Sequence, residues 1–153
     1  MAAYFLDSSA LVKRYAAETG SAWVENLTDP RSGNRIFVAA ITHVEVIAAI
    51  ARKKKGLLLS ATDAAAAIGR FENDLQTDLR VFDLTPNVIT MAARLAEKHA
   101  LRGYDAVQLA VALEINAART ARRLTGLMLI SSDVELNTAA QSEQLLTDDP
   151  NSH

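Results

Sequence analysis

The chain has 153 residues, half of them hydrophobic, and a formal net charge of −2. This length suits a single domain, and the charge is unlike that of proteins that bind nucleic acid through their overall field. The absence of cysteine excludes disulfides, cysteine nucleophiles and thiolate metal sites, so any bound metal should be a hard ion. With no apolar run long enough to span a bilayer and no signal-peptide features, the sequence predicts a soluble, cytoplasmic protein.

Short apolar segments alternate with longer helical ones along the chain. Strand candidates, rich in β-branched or aromatic residues, lie at 3–6, 36–39, 81–84 and 127–130, with a weaker one near 144–147. Apolar residues at three- and four-residue spacing predict helices at 9–18, 20–28, 42–56, 63–75, 87–100, 104–124 and 133–141. This alternation indicates an α/β sandwich with a parallel sheet covered on both faces, because parallel crossovers need about a dozen residues.

Four carboxylates occupy similar local positions, next to a strand end or a helix start. Asp7 directly follows the first strand, Glu45 and Asp133 follow two later strands, and Asp105 opens a helix. Functional groups of parallel α/β folds collect beyond the carboxyl ends of the strands, where helix N-termini also converge. The four acids are therefore candidates for a common site.

Helix capping is the competing explanation for each acid, because carboxylates are favourable near helix N-termini. Thr42 with Glu45 and Ser132 with Glu135 both have the spacing of a capping box. Capping does not explain the apolar surroundings of the acids, in "YFLD", "HVEVIAAI" and "YDAVQLAVAL". Buried carboxylates are costly unless something compensates their charge, and a shared cation would do so.

The segments "FLDSSALVKRY", "ITHVEVIAAI", "LRGYDAVQLAVAL" and "LISSDVEL", in this order, resemble the PIN domain and specifically its VapC-like toxin ribonucleases. The resemblance covers nearly the whole chain. It implies a three-layer α/β/α sandwich with about five parallel strands. It also implies that Asp7, Glu45, Asp105 and Asp133 gather at the carboxyl edge of the sheet as catalytic and metal-binding residues, with Asp7 and Asp105 as the most direct ligands.

Oxygen ligands of this kind suit Mg²⁺ or Mn²⁺. Such an ion can activate water and stabilise the charge that develops on a phosphate. The predicted function is therefore metal-dependent hydrolysis of RNA phosphodiester bonds, as an endoribonuclease. The resemblance further implies a toxin of a type II toxin-antitoxin pair that forms a homodimer and binds a VapB-like antitoxin, a segment of which fills a groove and blocks the site.

Several other polar residues are candidates for supporting roles. Ser9 and Ser131 either orient a carboxylate or water or cap a helix. Arg102 either meets a substrate phosphate or is simply solvated. Two basic clusters could contact phosphates or could be solvated helix ends: Lys53, Lys54 and Lys55, and Arg119, Arg122 and Arg123.

Two other interpretations compete with a metal-dependent nuclease. Haloacid-dehalogenase-like phosphatases and response-regulator receivers also have an aspartate after the first strand. The phosphatases need a second aspartate where this chain has Ser9, and receivers need an extra acidic pair that this chain lacks. The main alternative is a noncatalytic PIN-like module that binds protein or RNA. Residues 1–147 are expected to form the single nuclease domain, followed by a disordered tail at 148–153.

Overall fold

The computed structural model describes residues 1–153, and its centre is a five-stranded parallel sheet. The strands are β1 (Ala3–Leu6), β2 (Arg35–Ala39), β3 (Leu79–Phe82), β4 (Leu127–Ile130) and β5 (Leu146–Asp148). The helices are α1 (Ser8–Leu11), α2 (Ser21–Thr28), α3 (Ile41–Lys55), α4 (Ala61–Thr77), α5 (Pro86–His99), α6 (Gly103–Ala121) and α7 (Val134–Ser142). Short 3₁₀ turns lie at Val12–Arg14, Pro30–Ser32 and Pro150–Ser152. The predicted α/β/α sandwich is confirmed.

The strand order is β3-β2-β1-β4-β5, and every neighbouring pair is parallel. The chain builds the sheet outwards from β1 to β2 and β3, and then crosses to the other side of β1 to add β4 and β5. The strand order therefore reverses between β1 and β4, which opens a crevice at their carboxyl ends. Asp7 and Asp133 follow these two strands directly or within three residues, so the topology places both at the crevice.

Two layers of helices cover the sheet, as expected for buried parallel strands. Successive β1 side chains face opposite layers: Phe5 packs in the core formed with α5, α6 and α7, and Leu6 packs in the core formed with α1 to α4. Both side chains are completely buried. β1 is therefore held rigidly from both faces, and so is the residue that follows it. None of the helices combines the length and the apolar character needed to cross a membrane.

The first helix is shorter than the predicted segment, 9–18, because two charged side chains turn into the protein. α1 is followed at once by a 3₁₀ turn. Lys13 is buried, and its Nζ lies 3.0 Å from Glu18 Oε1. Arg14 Nε lies 2.9 Å from Asp74 Oδ2. The spacing of apolar residues over 9–18 is that of a surface helix. The ion pairs instead draw the side chains of Lys13 and Arg14 towards the interior, and the helix ends early.

The capping box predicted for Thr42 and Glu45 is wrong. α3 begins at Ile41 without a side-chain cap, so Glu45 lies in the second turn and not in the first. Thr42 is completely buried, and its Oγ1 accepts a hydrogen bond of 2.9 Å from Gln108 Nε2. Both side chains thus interact with α6 and not with the start of their own helix.

The capping box predicted for Ser132 and Glu135 is also wrong. Asp133 caps α7, because its Oδ1 accepts a hydrogen bond of 3.0 Å from Leu136 N. Ser132 Oγ is buried and has no hydrogen-bond partner. The cap lies one residue later than predicted because Ser131 and Ser132 still extend the loop from β4.

The C-terminal residues, predicted to be disordered at 148–153, have a defined position in the structure. β5 ends at Asp148, and the following 3₁₀ turn packs on the layer that contains α2. The His153 ring stacks on Trp23 with centroids 4.2 Å apart, and Lys13 Nζ donates a hydrogen bond of 2.9 Å to Asn151 Oδ1. Residues that are distant in sequence hold this polar segment in place. The composition of the segment alone does not reveal these contacts.

Substitution of two glycines tests the position of the C-terminal turn. Gly20 has φ +86°, and a Cβ there would contact the carbonyl oxygen of Pro150, whereas the helical Gly69 has open space around it. In urea denaturation, Gly20→Ala should lower the free energy of unfolding by more than about 1 kcal/mol. Gly69→Ala should raise it by roughly 0.5–1 kcal/mol.

The same Gly20→Ala substitution, made in a chain that ends at Asp148, should cost less, because only the backbone strain remains. An equal cost in the full-length and shortened chains would contradict the packing of the C-terminal turn on Gly20.

Candidate active site

Asp7 is the most enclosed of the four predicted acids, and its carboxylate is held on both sides. The residue is 3% exposed. Its Oδ1 accepts hydrogen bonds from Ala10 N (3.0 Å) and Ser9 Oγ (2.7 Å). Its Oδ2 accepts one from Ser131 Oγ (2.6 Å), and Ser131 Oγ in turn accepts one from Asp133 N (3.0 Å). The two serines therefore fix the orientation of the carboxylate and link the ends of β1 and β4.

The pKa of Asp7 is raised to about 6, and burial is the main cause. The hydrogen bonds from Ser131, Ser9 and Ala10 lower the pKa, and the negative charge of Asp105 raises it further. Buried carboxyl groups are harder to ionise because water no longer solvates the charge. The charged form of Asp7 thus lacks full compensation within the protein.

Glu45 is held by two donors from other helices. Its Oε1 accepts a hydrogen bond of 2.6 Å from Gln108 Nε2, and its Oε2 accepts one of 3.2 Å from Ser8 Oγ. Gln108 is completely enclosed by the protein and also contacts Thr42. α1, α3 and α6 therefore meet at this glutamate.

Gln108 is a positioning residue that sequence reasoning missed. It is the one amide within the apolar segment "AVQLAVAL", and it lies three residues after Asp105. Residues three apart on a helix share a face, so this spacing was a usable signal. Its partner Glu45 is 63 residues away in sequence, and local patterns do not reveal that contact.

Asp105 is the electrostatic centre of the site. It lies in the first turn of α6 and is half-buried, and its carboxylate makes no hydrogen bond. Burial raises its pKa to about 6, the charges of Asp133, Glu45 and Glu135 raise it as well, and the nearby Arg102 opposes them. Because Asp105 also acts on Asp7, the other three predicted acids all lie within electrostatic reach of this one residue.

Glu135 is a fifth acid of this region, which sequence reasoning treated only as part of a capping box. It is exposed in the first turn of α7, and its charge acts on Asp105. Arg102, a predicted substrate contact, lies exposed at the residue before α6 and forms no ion pair. It is placed at the rim of the acidic cluster, where its charge faces the carboxylates.

The donor chemistry of these side chains fits a hard divalent ion. None of the four carboxylates forms an ion pair with lysine, arginine or histidine. As the side chains stand, no three acidic or histidine groups have the spacing to share one ion. Asp105 is free of hydrogen bonds, so its rotation is not opposed by a protein partner. Carboxylate oxygens without a protein cation are the ligands that Mg²⁺ and Mn²⁺ prefer.

A groove of about 480 Å³ lies beside the acids, between α1, α3 and the start of α6. Its walls are partly apolar and partly polar, and Glu45, Arg52 and Arg102 supply its charges. The remaining lining residues are Ser8, Ser9, Val12, Ile41, Val44, Ala48, Ala49 and Tyr104. The groove leads to Glu45, so a molecule bound there would reach the acidic cluster.

Comparison with known proteins shows the family to which the chain belongs. The model of the PIN domain family matches residues 4–141, which include all four acids. The chain belongs to the PIN domain family. Ribonuclease VapC45 of Mycobacterium tuberculosis is 33% identical over 138 residues, which are 90% of this chain and 89% of that protein.

Solved structures share the fold of this PIN domain. PAE2754 from Pyrobaculum aerophilum superposes with a TM-score of 0.64 at 21% identity, covering 99% of this chain and 91% of that one. A toxin-antitoxin complex from Klebsiella pneumoniae contains a chain with a TM-score of 0.61 at 17% identity, covering 96% and 97%. At these identities the likeness concerns the fold alone.

The raised pKa of Asp105 predicts a pH-dependent effect on stability. The folded-state pKa of about 6 lies above the unfolded value, so folding favours the protonated form, and stability falls as the pH rises through the window of about 4 to 6. Without divalent ions, Asp105→Asn should therefore raise the free energy of unfolding at pH 7.5 by about 1 kcal/mol, a value reduced for solvent screening. At pH 4 the gain should disappear.

Urea denaturation in EDTA at the two pH values measures this difference. Glu97→Gln on the exposed side of α5 is the control for loss of a surface charge, and it should change stability by less than about 0.5 kcal/mol. If Asp105→Asn is no more stable than the unmodified protein at pH 7.5, then the ionised carboxylate of Asp105 does not destabilise the folded protein. That result would contradict the raised pKa of Asp105.

Proposed function

We propose that the chain is a Mg²⁺- or Mn²⁺-dependent endoribonuclease that hydrolyses phosphodiester bonds in RNA. The observation that carries this proposal is the group of carboxylates at the carboxyl edge of the sheet, whose charges repel one another and none of which forms an ion pair. The relative VapC45, aligned over 90% of the chain, is a ribonuclease, which supports RNA as the substrate.

In this proposal Asp7 and Asp105 are the most direct metal ligands, and Glu45 and Asp133 complete the catalytic group. A divalent ion would lower the pKa of the attacking water and neutralise charge on the phosphate. The chain's own residues hold the ligands in place. Ser9 and Ser131 donate to the two oxygens of Asp7, and metal ligands fixed in this way bind with less loss of conformational freedom.

Two further groups orient Glu45 and the substrate. Gln108 and Ser8 each donate a hydrogen bond to one oxygen of Glu45, so the glutamate cannot turn away without losing both. Arg102 and Arg52 lie at the groove and are suited to contact the substrate backbone, since guanidinium groups pair well with phosphate oxygens. An acidic site needs such cations, because RNA is itself an anion.

We propose further that the protein is the toxin of a type II pair, acting in the cytoplasm as a homodimer that a VapB-like antitoxin inhibits. The groove beside Glu45, with its partly apolar walls, has the character of a surface that accepts a peptide segment. Sedimentation equilibrium tests the dimer, and co-purification with the product of a neighbouring gene tests the antitoxin.

RNA cleavage assays test the catalytic proposal. The protein should cut RNA with Mg²⁺ or Mn²⁺ and stop in EDTA. Asp7→Asn or Asp105→Asn should lower the rate by more than roughly a hundredfold, since even outer partners of metal ligands are worth about 10–100-fold. Asp78→Asn at the exposed end of α4 is the matched control and should keep the activity.

Full cleavage in EDTA, or in either of the two aspartate variants, would contradict the proposed mechanism. A protein that binds RNA but leaves it intact with both metals would instead be the noncatalytic binding module.

A further inference from the structure

Four arginines line a cleft between β2, β3 and the end of α6, and they lie towards the end of the sheet away from the acids. Arg35 is the first residue of β2, Arg80 lies on β3, and Arg119 and Arg122 lie at the end of α6. The cleft has a volume of about 330 Å³. Its other walls are Phe37, Phe82, Ile115, Ala118 and Leu124. Because β2 is five residues long, the two ends of this strand are roughly 13 Å apart.

Arg119 is buried without a negative partner. It is 8% exposed, its Nε donates a hydrogen bond of 2.9 Å to Thr125 O, and its guanidinium lies over the Phe37 ring at 5.7 Å. Neither terminal nitrogen of the guanidinium donates a hydrogen bond within the chain. Burial lowers its pKa, and the positive charges of Arg35 and Arg80 lower it further. No carboxylate of the chain pairs with this charge, and solvent reaches the terminal nitrogens at the cleft.

The other three arginines of the cleft also lack a negatively charged partner. None of the four forms an ion pair, and Arg35, Arg80 and Arg122 make no side-chain hydrogen bond. The lysine cluster in the last turn of α3 is different, because Lys53 Nζ lies 2.7 Å from Glu18 Oε2. The guanidinium donors around the cleft are thus available to an external anion.

The aromatic lining limits the kind of anion. Residues two apart on a strand face the same side of a sheet, so Arg35 and Phe37 share a face. Phe37 is aligned with Arg80 on the neighbouring strand. Phe37 and Phe82 are both partly buried, and they lie in the same cleft as the guanidinium groups. Arginines beside aromatic rings are the combination with which proteins hold single-stranded nucleic acid, phosphate on the cation and base on the ring.

We propose that this arginine cleft is a second RNA-binding site, which holds a nucleotide of the substrate strand remote from the bond that is cut. The inference rests on the proposed function for the identity of the substrate. The volume of the cleft suits a single nucleotide. Four guanidinium groups in the cleft offset the repulsion that RNA meets at the acidic cluster, so the cleft supplies affinity and the acids supply the reaction.

Fluorescence anisotropy of a labelled 12-nucleotide single-stranded RNA tests the proposal. The titration is done in EDTA, so that the RNA stays intact and binding is measured without cleavage. Arg80→Gln and Arg122→Gln, made singly, should each raise Kd roughly three- to tenfold. Each should also make the dependence of log Kd on log salt shallower by about 0.7, the value for one phosphate of a single strand.

Arg94→Gln on the exposed side of α5 removes the same charge elsewhere and should leave Kd within about twofold. Urea denaturation of all three variants excludes a loss of folding. Kd values within twofold of the unmodified protein for both Arg80→Gln and Arg122→Gln would overturn the proposal, even if the protein cleaves RNA normally. Conversely, a loss of RNA affinity in these variants supports the cleft even if no cleavage is found.

A labelled glutamate-rich peptide distinguishes the other class of anionic partner. It should bind the unmodified protein and the two cleft variants equally weakly. If its affinity falls in the variants while RNA binding does not, the cleft takes an acidic protein segment, and the proposal is wrong.

Discussion

The proposed active site depends on one constraint: four carboxylates lie near one another at the carboxyl edge of the sheet, and none of them forms an ion pair. The sheet brings Asp7, Glu45, Asp105 and Asp133 to neighbouring positions, and burial together with the repulsion among their charges raises the pKa values of Asp7 and Asp105. A fold selected only for stability would separate these charges or pair them with cations. The chain instead keeps them without lysine or arginine partners and offers neutral donors: serine hydroxyls, a backbone amide and the amide of Gln108.

The topology explains why these acids, far apart in sequence, share one edge. β1 is central and is buried from both faces, so the residue that follows it has a rigid position. β4 lies beside it, and Ser131 joins the two strand ends by its hydrogen bonds to Asp7 and Asp133. The charges are also separated along the sheet. The acids lie at its carboxyl edge and the arginines of the cleft lie towards the opposite end, so a chain with a net charge of only −2 has two regions of opposite charge.

Much of the fold was predictable, because buried strands and amphipathic helices leave periodic patterns. The four acids could be selected from their local positions, and their common site came from a family resemblance. Three features were not accessible in this way. The two capping boxes fitted the local pattern, but Thr42 instead accepts a hydrogen bond from Gln108 on α6. The negative charge of Glu135 raises the pKa of Asp105, which lies on a different helix. The polar C-terminal turn is ordered by Trp23 and Lys13, which no local composition predicts.

The most direct test of the account is a crystal structure of the protein grown with Mn²⁺, with anomalous differences measured at the manganese absorption edge. We expect an anomalous peak that lies about 2 Å, the length of a metal–carboxylate bond, from oxygens of both Asp7 and Asp105. If Mn²⁺ at millimolar concentration gives no peak there, or is bound only by other residues, then these carboxylates do not form a metal centre.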